Sequence, residues 1–200
     1  MESTEFSQEK KLEEVIIEIC VKIAKRGEGA LFVIGEVEYD TLVDQKVPEF
    51  SIFENPKLLE SLALMDGAII LDKTGTLKAY GVMVKSKKVF KNFGTRHSAA
   101  ISASLINENT SIIVSEEDRK IRILKEGKVI MQIDALQKNV EKSIPEAVGI
   151  LESVGVGAVG TIGAGILAPT LGLALLPGIV LFGSAYYLGK LIHKKVKTKY

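Results

Sequence analysis

Three short segments of the chain combine acidic, basic and small residues in patterns that could bind and react with phosphate. They are Asp66-Gly67-Ala68, Gly94-Thr95-Arg96-His97-Ser98 and Ser115-Glu116-Glu117. The second segment opens a predicted helix, where unpaired N–H groups and the helix dipole favour anions, and Arg96 could add charge-assisted hydrogen bonds. Each segment alone has a plain structural explanation, namely a turn carboxylate, a solvated helix end and a polar loop. The information therefore lies in their combination.

A fourth segment, Asp72-Lys73-Thr74-Gly75-Thr76-Leu77, matches the signature that P-type ion pumps phosphorylate on Asp. Such a pump needs several further modules, which 200 residues cannot supply. Because the segment separates two strand-like runs, we interpret it as a turn with Gly75 available for a left-handed conformation. The sequence contains no GxxxxGK[ST] phosphate loop, and the GxGxxG pattern at 155–160 lies in an apolar region. Two histidines and one cysteine are too few for a zinc site.

The hydrophobic pattern predicts the elements that must position these segments. We expect helices over Phe6–Lys25, Leu58–Leu64 and Thr95–Leu105, and strands over Ala30–Gly35, Ala68–Leu71, Leu77–Val84, Thr110–Val114, Lys120–Leu124 and Val129–Ile133. Each candidate segment then lies at a boundary, where it opens a strand, opens a helix or follows a strand. Interleaved strands and helices predict an α/β or α+β fold with one mixed central sheet flanked by helices.

Charge divides the chain into two unlike parts. The chain has 26 basic and 25 acidic residues, but five of the lysines follow Glu152, so residues 1–152 carry 21 basic and 25 acidic residues. This balance excludes a uniformly basic nucleic-acid binder, and a single cysteine excludes a disulfide scaffold and fits a reducing compartment. The first 30 residues lack an apolar core, so we expect no cleaved secretion signal.

The C-terminal region is apolar and rich in glycine. Residues 153–189 contain no Asp, Glu, Lys, Arg or His. One helix through them would be about 55 Å long, more than a bilayer core of about 30 Å, and Pro169 and Pro177 interrupt it. We therefore predict an N-terminal α/β domain at 1–140, which the resemblance described next implies to be catalytic, and a helical hairpin at 141–200, with transmembrane spans near 148–167 and 173–189. The alternative is a buried, soluble helical hairpin.

In their order and spacing, the three segments resemble the diadenylate cyclase domain family, which has a DGA motif, an RHR motif commonly written GTRHRAA, and a following SEE. The resemblance covers about residues 8–135, including the first helix and the strand GALFVIGE. It implies the fold of that family and its reaction, in which two ATP molecules condense to cyclic di-AMP and two pyrophosphates. Each 3′-hydroxyl attacks the α-phosphate of the opposing nucleotide across a face-to-face dimer.

The resemblance also implies roles for individual residues. Asp66 would lie at the ribose 3′-hydroxyl as metal partner or base, with Arg96 and His97 as the other catalytic residues. The substrate-binding residues would be Gly67, Ala68, Gly94, Thr95, Ser98 and Ser115. Asp66 and Glu117 would hold a divalent ion, Mn²⁺ or Mg²⁺ with Co²⁺ as an alternative, and Glu116 is a weaker candidate for this role.

Two positions depart from the family pattern. Ser98 stands at the third position of RHR, and Met65 precedes DGA where many relatives have histidine. A lysine of the loop before Gly94 could replace the missing charge: Lys85, Lys87, Lys88 or Lys91. The departures keep open a second hypothesis, a catalytically degenerate, membrane-tethered sensor that binds ATP or cyclic di-AMP.

The expected partners follow from the same resemblance and from the apolar tail. The chain would bind ATP and act as a homodimer or higher homo-oligomer. It would attach to the cell membrane through its tail, with the catalytic domain and the lysine-rich C-terminus facing the cytoplasm. We expect no contact with nucleic acid.

Overall fold

The structure is a computed structural model that describes residues 2–85, 94–106, 108–155 and 175–181. Its helices are α1 (Glu2–Arg26), α2 (Pro56–Ala63), α3 (Thr95–Ser104) and α4 (Val140–Gly155). Its strands are β1 (Ala30–Ile34), β2 (Tyr39–Thr41), β3 (Ala68–Leu71), β4 (Leu77–Val84), β5 (Thr110–Val114), β6 (Lys120–Lys125), β7 (Lys128–Asp134), β8 (Leu175–Leu176) and β9 (Ile179–Leu181).

The described strands form one mixed sheet in the order β2-β4-β3-β1-β5-β6-β7-β9-β8. Strands β1 and β3 are parallel, and the other neighbouring pairs are antiparallel. The mixed sheet flanked by helices that the sequence predicts is therefore confirmed. The starts of β1 and β3 and the end of β5 meet at one edge of this sheet.

Both faces of the central strands are covered, which explains why β1 is apolar throughout. Phe32 packs with α1, α2 and α4 in the larger core, whereas Leu31 and Val33 point to the smaller core beneath α3. A buried carboxylate, Glu13 on α1, is paired with Lys125 on β6 at 2.9 Å. Complete burial of Cys20 on α1 raises the pKa of its thiol, as expected of a cysteine that serves as a packing residue.

The C-terminal end of α1 is fixed to the segment between β5 and β6. Gly27, with φ of +87°, donates its N–H to the Ala24 carbonyl at 3.0 Å, and Glu28 donates to Ile23 at 3.2 Å. These two hydrogen bonds form a Schellman motif, which the left-handed conformation of the glycine makes possible. The Arg119 guanidinium also donates to the Ala24 carbonyl at 3.2 Å. The start of β1 is thereby held beside the turn that follows β5.

The prediction of a second apolar helix over 173–189 is wrong for residues 175–181, which form strands β8 and β9. Pro177 and Gly178 make the turn between them, and Gly178 has φ of +76°. A helix would need an N–H at Pro177 and disfavours the left-handed conformation, whereas Ile179 and Val180 suit a strand. β9 pairs with β7, and Ile179 is buried in the larger core.

The first predicted span, 148–167, falls on α4 only up to Gly155, and residues 156–167 lie outside the described residues. α4 begins at Val140, the last residue of the predicted catalytic domain, and its Glu141 is paired with Lys25 of α1. Val140 and Val148 are buried in the larger core. Among the helices that the structure describes, none has the length and apolar character needed to cross a membrane.

Candidate active site

A cleft of about 630 Å³ opens at the edge of the sheet where β3 begins and β5 ends. The register explains why these ends meet, because β1 is parallel to β3 and places Ala30 opposite Val114 of antiparallel β5. The N-terminus of α3 closes the cleft from the smaller core's side of the sheet. The lining residues are Asp66, Gly94, Thr95, Arg96, His97, Ile113, Val114, Ser115, Glu116, Glu117, Asp118 and Arg122. All three candidate segments therefore contribute to one cleft.

The first segment sets an exposed carboxylate on a tight backbone turn. The Asp66 side chain is 89% exposed and accepts a hydrogen bond from the Gly67 N–H at 3.0 Å. Gly67 has φ of +104°, and a Cβ there would lie 2.6 Å from the Val82 backbone nitrogen. Ala68 is buried in the smaller core as the first residue of β3. Glycine is thus required by backbone packing, and the turn aims Asp66 outward.

The second segment forms the first turn of α3. Gly94 is the N-cap, with φ of −62° and ψ of 167°, and its carbonyl accepts the Ser98 N–H at 3.0 Å. Thr95, Arg96 and His97 therefore occupy the first turn, whose backbone N–H groups have no partner within a helix. These groups face the cleft, where an anion would find both the N–H donors and the positive end of the dipole. Ser98 is buried and does not line the cleft.

Arg96 joins the three segments. Its Nη1 donates to Glu116 Oε2 at 3.0 Å, and its Nη2 lies 3.8 Å from Asp66 Oδ1. A Cβ at Gly29 would lie only 2.4 Å from Nη1, so the guanidinium occupies the space that a side chain at residue 29 would fill. The two carboxylates hold Arg96 in the cleft, and glycine at position 29 leaves room for its guanidinium.

His97 is kept neutral by its surroundings. Partial burial and the nearby Arg122 guanidinium lower the pKa of its imidazole, and the opposing effects of Asp118 and Glu117 do not restore it. A neutral imidazole can accept a hydrogen bond as well as donate one. His97 therefore adds no positive charge to the cleft near neutral pH.

Sequence reasoning missed Asp118 and Arg122. Arg122 on β6 is paired with both carboxylate oxygens of Asp118, and its Nε donates to Gln132 Oε1 at 3.2 Å. Burial tends to raise the pKa of Asp118, but hydrogen bonds from Arg122 and from the Ser115 hydroxyl lower it overall. The carboxylate is therefore ionised and holds Arg122 in place.

One signal in the sequence could have found Arg122. Within β6, Ile121 and Ile123 are buried on the face that packs against α1, so the residue between them must point to the face beneath α3. Arg122 is therefore a half-buried cation on the same face as the helix that opens the cleft. Asp118 carries no such signal beyond its position directly after Glu117.

The carboxylates of the cleft fit a divalent ion that shares its ligands with a substrate. Mg²⁺ and Mn²⁺ prefer oxygen ligands, and Mg²⁺ is commonly held by one or two carboxylates together with substrate phosphates. Asp66 and Glu117 are exposed in the cleft, whereas Glu116 accepts a direct hydrogen bond from Arg96. Within the part of the chain that is described, no three His, Cys, Asp or Glu side chains form a metal-binding group. The donors present suit a site that bound phosphate would complete.

The Asp72 segment is a turn, as interpreted from the sequence. Asp72 Oδ1 accepts the N–H groups of Thr74 and Thr76 at 2.9 Å each and the Thr74 hydroxyl at 2.6 Å. These hydrogen bonds lower the pKa of Asp72 against the effect of burial. Gly75 has φ of +83°, and none of the residues from Asp72 to Gly75 lines the cleft. The carboxylate is thus occupied in closing the β3–β4 connection.

Comparison with known proteins relates this cleft to one family. The family model for the DisA bacterial checkpoint controller nucleotide-binding domain matches residues 18–129, more than half of the chain. A Haloferax volcanii protein named diadenylate cyclase is 26% identical over 139 residues, covering 60% of this chain and 51% of that protein. Cyclic di-AMP synthase CdaA of Bacillus subtilis is 31% identical over 150 residues, covering 68% of this chain and 53% of that protein.

The chain therefore spans about half the length of these relatives. A crystal structure of Staphylococcus aureus DacA is 26% identical, covers 70% of this chain and 97% of that chain, and superposes with a TM-score of 0.45. The matched region 18–129 contains the whole cleft, from Asp66 to Arg122. Because the family model matches more than half of the chain, the chain belongs to the diadenylate cyclase domain family, the family of the DisA nucleotide-binding domain.

Proposed function

We propose that this chain is a diadenylate cyclase, which condenses two ATP molecules into cyclic di-AMP and two pyrophosphates. The observation that carries the proposal is the single cleft into which Asp66, the α3 N-terminus and the Ser115–Glu117 turn all project. Family membership and the names of the relatives support the same reaction.

The first turn of α3 and Arg96 bind the phosphates in this proposal. Backbone N–H groups at Thr95 to His97 offer fixed donors, and Arg96 offers a guanidinium that two carboxylates already hold in place. Because these donors are oriented before the substrate arrives, little reorganisation is needed as charge develops on the α-phosphate. Ser115 also lines the cleft, where its hydroxyl donates to the Asp118 carboxylate.

Asp66 acts at the ribose of the nucleotide bound in its own cleft. The 3′-oxygen forms a bond to the α-phosphorus of the opposing nucleotide, and the bond from that phosphorus to the bridging oxygen of the pyrophosphate breaks. Asp66 takes or orients the proton that leaves the hydroxyl. Two such steps give one cyclic product and two pyrophosphates. The exposure of Asp66 suits a reaction with a second nucleotide that arrives from outside the chain.

A divalent ion would be held by Asp66 and Glu117 together with substrate phosphate. When bound, such an ion neutralises phosphate charge and lowers the pKa of a nearby hydroxyl. The charges of the cleft give an independent reason for it. Among the described lining residues, four carboxylates, those of Asp66, Glu116, Glu117 and Asp118, face two guanidiniums while His97 is neutral, so this part of the cleft is net negative before ATP enters. The proposed ion is Mn²⁺ or Mg²⁺, with Co²⁺ as the alternative.

Catalysis in this proposal needs two copies of the chain facing each other, because one cleft holds one ATP.

We also propose that the uncharged C-terminal region and its lysine-rich end bring the chain to the cytoplasmic face of the cell membrane. Sedimentation of the expressed full chain with membranes, and its release by detergent but not by high salt, tests this attachment. Recovery in the soluble fraction without detergent would contradict it.

The reaction is tested with the purified full chain, ATP and Mn²⁺, Mg²⁺ or Co²⁺, with products identified by mass spectrometry. We expect cyclic di-AMP from the unmodified chain and a loss of at least about a hundredfold with Asp66→Asn. The matched control is Asp44→Asn, since the Asp44 side chain is 83% exposed and lies outside the cleft lining. ATP binding without product, at high chain concentration and with each metal, would contradict the proposal and favour the sensor.

A further inference from the structure

We infer that Arg122 binds the β- and γ-phosphates of the bound nucleotide and makes the cleft selective for a triphosphate. This inference rests on the proposed function, because it assigns a role to a second basic residue of the same cleft. The observations that carry it are the placement of Arg122, the contacts that hold it and the N–H groups that those contacts leave over.

Arg122 and Arg96 enter the cleft from different elements. Arg96 comes from the first turn of α3 and lies 3.8 Å from Asp66, whereas Arg122 comes from β6 and is held by Asp118 and Gln132. Among the described residues, Arg122 has no ion pair with Asp66. If Asp66 marks the reacting ribose, Arg96 lies next to the reacting end of the nucleotide and Arg122 lies further along the cleft. In this arrangement the α-phosphate lies near Arg96 and the β- and γ-phosphates lie near Arg122.

The contacts of Arg122 orient it without using all of its donors. The Gln132 and Asp118 contacts take three N–H groups, one each on Nε, Nη1 and Nη2. A guanidinium has five N–H groups, so two remain for a ligand. Its side chain is 19% exposed, so most of its orientation is fixed before a ligand binds. A fixed and partly buried guanidinium is the side chain that best forms paired hydrogen bonds to phosphate oxygens.

The cross-strand neighbours explain why the sheet presents Arg122 to the cleft. Arg122 lies opposite Ile113 of β5 and Gln132 of β7, and Ile113 is a lining residue. The side chain therefore rises from the floor of the cleft toward the α3 N-terminus, near enough to His97 to lower the pKa of the imidazole. Phosphate oxygens between Arg122 and the α3 N–H groups would have donors on two sides.

The test uses nucleotides that cannot react, so that binding is measured apart from turnover. Isothermal titration of the full chain with Mg²⁺ compares 3′-deoxyadenosine triphosphate with 3′-deoxyadenosine monophosphate. We expect Arg122→Gln to weaken triphosphate binding by about tenfold and to change monophosphate binding by less than about twofold. Arg122→Lys should weaken triphosphate binding by less than Arg122→Gln does, because lysine keeps the positive charge but cannot donate the paired hydrogen bonds of a guanidinium.

Lys120→Gln is the matched control, since it removes one positive charge from the same strand at a residue outside the cleft lining. It should leave the ratio of the two affinities unchanged. A merely structural role for Arg122 would weaken both nucleotides equally in Arg122→Gln, and that result would overturn the inference. If Arg122→Gln does not fold, an unchanged affinity ratio in Arg122→Lys would overturn it instead.

The two proposals fail in distinguishable ways. If the unmodified chain makes cyclic di-AMP and Arg122→Gln keeps the normal affinity ratio, only the role of Arg122 is wrong. If the unmodified chain binds neither nucleotide and makes no product, the proposed function fails. If the chain binds the triphosphate with an Arg122-dependent preference but makes no product, the selectivity stands without the cyclase activity.

Discussion

Gly67 occupies a position at which both conformation and space exclude a side chain. Its φ of +104° is unfavourable for other residues, and a Cβ would lie 2.6 Å from the Val82 nitrogen and 2.8 Å from the Gly81 carbonyl carbon. We expect Gly67→Ala to lower the free energy of unfolding by roughly 2 kcal/mol or more, measured by urea denaturation. Gly94→Ala is the control, because a Cβ at Gly94 would have nothing within 4 Å. Equal losses in the two variants would contradict the packing explanation.

His97 makes stability depend on pH in a predictable direction. Its folded-state pKa lies below the ordinary value of 6.5 because of burial and Arg122, so the unfolded chain binds more protons as the pH falls below about 6.5. The contribution of the neutral imidazole to the free energy of unfolding is therefore complete above that pH. It is lost as the pH falls toward the lowered folded-state pKa. We expect the unfolding free energy to fall more between pH 7.5 and pH 5.5 in the unmodified chain than in His97→Gln. Identical falls, measured by denaturant titration, would contradict the lowered pKa.

At the scale of single residues, the sequence reveals the parts of the cleft that lie in contiguous motifs. Asp66, Arg96 and Glu117 each stand in a short segment whose residue types already suggest phosphate chemistry. Arg122 could not be found in this way, because it reaches the cleft only through the pairing of β6 with β5. Ser98 shows the opposite error, since a residue inside a motif is buried behind the helix turn that carries it.

The β3–β4 connection matches the sequence of a catalytic motif but has a structural role. Asp72 accepts three hydrogen bonds through one oxygen, so Asp72→Ala should lower the unfolding free energy by about 2 kcal/mol. Asp72→Asn keeps an oxygen acceptor, so it should lower the unfolding free energy clearly less than Asp72→Ala does. Both folded variants should keep cyclic di-AMP synthesis, as mass spectrometry of the products would show. Loss of activity in folded Asp72→Asn would contradict the assignment of Asp72 to a turn.

Elements with a strong internal pattern agree with the sequence, and elements that depend on a neighbour do not. The long amphipathic helix α1 and the apolar strand β1 lie within a few residues of their predicted bounds. Strand β2 (Tyr39–Thr41) was not predicted, because it is three residues long and exists as an edge partner of β4. The error at residues 175–181 has a related origin, since β9 pairs with β7 and β8 pairs only with β9.

At the scale of the whole molecule, the proposed mechanism requires each of two copies to activate its own ribose. An excess of Asp66→Asn should therefore trap the unmodified chain in mixed pairs that can form one phosphodiester bond but not the second. With tenfold excess of the variant and saturating ATP, we expect cyclic di-AMP to fall on the order of tenfold and a linear dinucleotide triphosphate to appear. Mass spectrometry distinguishes the two products.

An equal mass of an unrelated protein controls for the added protein in this mixing experiment. Cyclic di-AMP output that does not change when Asp66→Asn is added would contradict the paired mechanism. The described residues of a single chain bring all three candidate segments into one cleft. The face that meets a second chain could not be predicted from the motifs, because they define a cleft and not its surroundings.

The Asp66 carboxylate is almost fully open to solvent on the single chain. If two loaded chains must meet at this carboxylate, the rate of synthesis follows the number of encounters between them. That number grows with the square of the amount of free chain, so half the expression would give about a quarter of the rate of synthesis. A cell could therefore raise the rate of synthesis steeply by gathering the same molecules into a smaller area, with every residue of the cleft unchanged.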